Sequence, residues 1–119
     1  MKLHDYITAH LGASFCYGRL DCVLFAHGYV KQATGIDYLA DVPKWENERQ
    51  ALRQIKGVGG LEAAIDARLT RVNPHMAKDG DIALYEGSVC LFSGPHIVGP
   101  GINGLQFIDR MKATCAWSI

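Results

Sequence analysis

Phe15-Cys16-Tyr17-Gly18-Arg19-Leu20-Asp21-Cys22-Val23-Leu24-Phe25-Ala26 is the stretch on which the reading of this chain turns. Gly18 signals a turn, and Asp21 stands directly before an amphipathic run. Cys22, Phe25, Ala26, Tyr29, Val30 and Ala33 recur at the spacing of a single helical face. Asp21 therefore reads as an N-cap and Cys22 as the first residue of a helix that ends at Thr34, with Gly35 at C′. A thiol at a helix start meets free backbone N–H groups and the positive end of the helix dipole. That field favours thiolate and predicts a lowered pKa for Cys22.

Upstream, Leu3, Tyr6, Ile7, His10 and Leu11 share helical spacing and Gly12 stops them, giving a first short helix. Downstream, 36–44 reads as loop. A third helix is expected from about Trp45, through Ala51, Leu52 and Ile55. Gly57-Val58-Gly59-Gly60 reads as a tight helix connector, since no Gly-Lys-Ser/Thr follows it to cradle phosphate. A fourth helix carries Leu61, Ala64, Ile65 and Leu69 inward and Glu62, Asp66 and Arg68 outward. After Asn73-Pro74 the pattern changes to short apolar runs punctuated by Gly, Pro and Asn: Ile82–Tyr85, Val89–Phe92, His96–Val98, Leu105–Ile108 and an alternating Cys115, Trp117, Ile119. Such punctuation predicts antiparallel hairpins. Helices first and a small antiparallel sheet second make a single α+β domain over residues 1–119.

The chain has 119 residues, 49% of them hydrophobic and 20% charged, with a formal net charge of zero. This supports a folded core and gives no electrostatic reason to expect nucleic acid. No apolar run approaches the ~18 residues of a membrane span, and Met1-Lys2-Leu3-His4-Asp5 opens no signal-peptide core. Synthesis in a cytosol-like compartment is the expectation. Cys16, Cys22, Cys90 and Cys115 form no Cys-x-x-Cys pair, so free thiols are expected, and no metal or cofactor is called for.

A helix-start cysteine becomes a nucleophile when an imidazole lies beside it. His27 is five residues past Cys22, about 140° around the helix, and so off the thiol's face. His10 fits the packing stripe of the first helix, and His75 falls in a loop. His96 opens a strand and is the candidate base, with a solvated turn histidine as the alternative. Cys22 itself has two readings, nucleophile or core residue. Cys16, Cys90 and Cys115 read as packing residues. A thiol-based redox or interaction protein is a further class of function open to these residues.

The motif Phe15-x-Tyr17-Gly18-x-x-Asp21-Cys22-x-x-Phe25 resembles that of small phage and prophage proteins related to the NlpC/P60 cell-wall peptidases, which have a papain-like fold. Gly59-Gly60-Leu61, Gly80-Asp81, Gly99-Pro100-Gly101, Gly104-Leu105 and Ala116-Trp117-Ser118-Ile119 extend the resemblance over nearly the whole chain. It implies Cys22 as a nucleophile on peptidoglycan stem peptides during DNA entry, with Asp21 and Tyr17 in support. Phe15 stands where the peptidases usually keep a tyrosine. Ser88-Val89-Cys90-Leu91 matches the segment His-Val-Gly-Ile, which puts Ser88 at the position of the base. His96, one hairpin later, then substitutes as base, or the site has lost it. The resemblance thus implies either a cysteine hydrolase or a catalytically inactive structural or assembly module of a phage tail tip. It also implies other tail proteins as partners and the virion tail as location.

Overall fold

The structure is a computed structural model and describes residues 2–119. Helices α1 (Leu3–His10), α2 (Cys22–Thr34), α3 (Glu48–Gly57) and α4 (Leu61–Asp66) come first. Strands β1 (Thr70–Val72), β2 (Ile82–Tyr85), β3 (Ser88–Ser93), β4 (His96–Gly101), β5 (Gly104–Asp109) and β6 (Cys115–Ser118) follow. They form one sheet, ordered β1-β6-β2-β3-β4-β5, with every pair antiparallel. The expected α+β layout of helices on a small antiparallel sheet is what the chain adopts.

Turn chemistry sets the hairpins. Glu86 and Gly87 both take positive φ (46° and 76°) in the two-residue link from β2 to β3, the geometry that suits the strand twist. Gly94-Pro95 makes the next link and pairs Ser93 with His96. One sheet face meets the helices: Val89, Leu91, Val98, Ile82 and Trp117 pack with Tyr6, Phe25, Ala26 and Val30. The other face, with Cys90, Phe92, Ile97 and Ala116, is covered by Ala77 and Ala113 from the two linking segments. Phe25, Phe92 and Trp117 are fully buried, and each contributes ~1.5–3 kcal/mol by leaving water.

α1 is seated on α2 by a specific contact. The Tyr6 hydroxyl donates to the Phe25 carbonyl at 2.6 Å, and a side chain at Gly28 would overlap that hydroxyl. Burial pushes the Tyr6 phenol up to about 12, so it stays a donor at neutral pH. His10 packs on Tyr6 and Phe25, as its place in the apolar stripe predicts.

Several expectations are corrected. α3 begins at Glu48, because Asn47 caps it by accepting from Gln50 N–H. The apolar stripe of α2 ends at Val30, and Ala33 is exposed. α4 ends at Asp66, so Leu69 falls in the turn that follows it, and Thr70–Val72 form β1, which pairs with β6. Cys16 is exposed, its backbone bridged to Leu20, whereas Cys90 and Cys115 are buried; all four cysteines are free thiols.

Candidate functional site

The site is organised by Asp21. Cys16 and Leu20 exchange backbone hydrogen bonds (3.0 and 2.8 Å) around a tight turn whose Gly18 has φ +81°. A side chain there would collide with the Trp45 carbonyl, so only glycine lets the loop ending at Trp45 lie against this turn. Asp21 is 3% exposed. Its Oδ1 accepts from Leu24 N–H at 2.9 Å, which is the expected N-cap. Its Oδ2 accepts from Gly18 N–H at 3.2 Å and from Trp45 Nε1–H at 2.6 Å. One carboxylate therefore joins the turn, the α2 start and a loop more than twenty residues away.

Cys22 begins α2 as expected, but its thiol does not titrate as expected. Its pKa is raised, and burial is the largest cause. The N–H groups of Val89, Val23 and Cys22 itself pull it down, and the Asp21 carboxylate beside it pushes it up. The helix-start field is present and is outweighed by desolvation. Near pH 7 the group is a thiol.

The structure gathers Asp21, Cys22, Tyr17 and Ser88 around one cavity. Tyr17 stands edge-on to Phe15, ring centroids 4.7 Å apart. Burial, then the charges of Glu48, Cys22 and Asp21, raises its phenol. Ser88 is the exposed first residue of β3, next to Val89, and no hydrogen bond joins its hydroxyl to Cys22. His96 is not brought to this cavity. It pairs with Ser93 at the far end of the β3–β4 hairpin, and the five residues back to Ser88 span ~16 Å at ~3.3 Å per residue. There its ring lies edge-on to Phe107 at 5.8 Å. His27 lines the same cavity as Cys22, but its ring is turned to Asp37 and not to the thiol. Its Nε2 lies 3.0 Å from Asp37 Oδ1, within ion-pair range but without hydrogen-bond alignment. Burial is the main cause that lowers the His27 pKa and keeps the ring neutral. Among the described residues no imidazole is hydrogen-bonded to the Cys22 thiol.

A family model, described as a domain of unknown function (DUF6950), matches residues 1–119. The chain belongs to the DUF6950 family. No curated protein and no solved structure shows a significant match to it.

In this DUF6950 domain the cavity beside Cys22 measures about 260 Å³ and runs between α2, α3, α4 and the loop 38–45. Val23, Ala26 and Val30 of α2 face Leu52 and Ile55 of α3 and Ile65 of α4 across it. Trp45 and Arg68 also line it, and sequence reasoning missed both. Arg68 was expected outward. Instead its Nε donates to the Tyr38 carbonyl at 3.2 Å and its Nη1 to the Ala64 carbonyl at 2.8 Å, which draws it inward. Nothing in helical periodicity marks that residue, because its partners belong to a loop. No helix among the described residues is long and apolar enough to cross a membrane.

Proposed function

We propose that this chain is an NlpC/P60-like module that does not act as a cysteine peptidase and serves as a structural or assembly part of a phage tail tip. The observation that carries the first half is the surroundings of Cys22: a half-buried thiol of raised pKa with no imidazole in hydrogen-bond contact. General-base assistance is worth ~10²–10⁴ in rate, and a thiol without it, at raised pKa, is a poor nucleophile. Ser88 at the base position supplies no substitute, because its hydroxyl does not accept a proton near pH 7. The tail role rests on the resemblance of the Asp21-Cys22 motif and the segments around it to phage tail proteins.

The competing reading is a peptidoglycan hydrolase. The three N–H groups around Cys22 favour it, since they would steady a thiolate or an oxyanion. Incubating the purified protein with peptidoglycan sacculi and following release of new amino groups separates the two. The proposal expects release at the level of buffer, with Cys22→Ser identical to the parent. Release that disappears in Cys22→Ser would establish the hydrolase. Mass spectrometry of purified tail particles checks the second half, and absence of the chain from them would contradict it.

A further inference from the structure

The cavity between α2, α3 and α4 is almost wholly apolar, and its few polar side chains differ in how they are employed. Asp21 has both oxygens occupied by Gly18, Leu24 and Trp45. His27 faces Asp37 and is neutral. Arg68 is different. It bonds only to the uncharged carbonyls of Tyr38 and Ala64, its Nη2 makes no hydrogen bond, and among the described residues no carboxylate pairs with it. A guanidinium with one nitrogen left over beside an apolar wall matches a carboxylate in charge and offers it a charge-assisted hydrogen bond from Nη2. An engineered cavity of about 150 Å³ holds benzene, so this one, at about 260 Å³, has room for a longer apolar body.

From this juxtaposition of an unpaired arginine with an apolar cavity we infer that the domain binds a medium-chain monocarboxylate. The acyl chain lies among Val23, Ala26, Leu52 and Ile65, and the carboxylate meets Arg68. The proposal is independent of whether Cys22 reacts, because no step involves the thiol.

Titration calorimetry with decanoate and decanol, both below their micellar limits, tests it on the full chain. Decanoate is expected to saturate one site, and decanol to bind about tenfold more weakly, the scale of one charge-assisted hydrogen bond. Trp45 emission should follow the same isotherm, since Trp45 lines the cavity. Arg68→Gln is expected to reduce decanoate to the decanol level without changing decanol, and Arg68→Lys to keep a preference for the anion. If Arg68→Gln fails to fold, the two ligands on the parent protein still decide the matter. No saturable decanoate binding, or equal affinity for decanoate and decanol, overturns the inference.

Discussion

Two aspartates each hold a tryptophan indole N–H, and they do so in opposite surroundings. Asp21 is buried, accepts from Trp45 at 2.6 Å and has only neutral donors around it. Asp66 is at the surface, accepts from Trp117 at 2.8 Å and is ion-paired with Arg71 at 2.8 Å. Arg71 also reaches Glu62 at 2.9 Å and lies over the Trp117 ring at 5.3 Å, tying α4 to β1 and β6. The first cluster is built from geometry that water cannot replace. The second is built from charges that water and salt screen. The polar grip on the candidate site is thus the harder of the two to screen, and the Asp21 carboxylate that makes it also disfavours the Cys22 thiolate.

The comparison can be broken most severely at Asp21. Asp21→Ala removes an N-cap and leaves the half-buried N–H groups of Gly18 and Trp45 without their acceptor, so a loss of ~2–4 kcal/mol is expected. Urea unfolding measures it, and a loss below ~1 kcal/mol would put Asp21 on a level with an ordinary surface cap. Trp45→Phe leaves one buried carboxylate oxygen short of a donor and is expected to cost ~1–2 kcal/mol by the same assay. Tyr6→Phe, which only frees the Phe25 carbonyl, should cost ~1 kcal/mol.

The Asp66 cluster should show itself through pH. Hydrogen bonds from Arg71 are the largest cause that lowers both the Asp66 and Glu62 pKa values. A carboxylate depressed on folding stabilises the protein above its unfolded pKa, and that contribution fades as pH falls through the folded value. Melting temperature is therefore expected to drop below about pH 4.5, where unfolded carboxylates begin to protonate. Arg71→Met should shrink that drop by lowering the melting temperature at pH 7 while leaving it nearly unchanged at low pH. An unchanged acid limb in Arg71→Met would remove the cluster from the account.

The parts of this molecule that are local in sequence could be read from it. The Asp21 cap, the α2 face from Cys22 to Val30 and the hairpins bounded by Gly87 and Gly94 follow from spacing and turn residues. β1 escaped because Thr70-Arg71-Val72 is too short to show a period, and its pairing with β6 spans more than forty residues. The dipole at Cys22 and a core reading of it are both legible, but not which outweighs the other, since that depends on how β3 closes over the thiol. His96 was misplaced for a related reason. Its distance from Cys22 depends on the length of β3 and the two-residue turn at Gly94-Pro95, which together carry it to the opposite end of the hairpin. Arg68 gave no signal, because loop carbonyls set its direction.

The central claim is that desolvation outweighs the helix start at Cys22 and keeps the thiol protonated. The pH dependence of iodoacetamide alkylation, read at the Cys22 peptide by mass spectrometry, tests it directly. A half-point above that of N-acetylcysteine in the same buffer is expected, with a downward shift in Asp21→Asn, which removes the neighbouring negative charge. A half-point below about pH 7 would mark an activated thiolate and contradict the account.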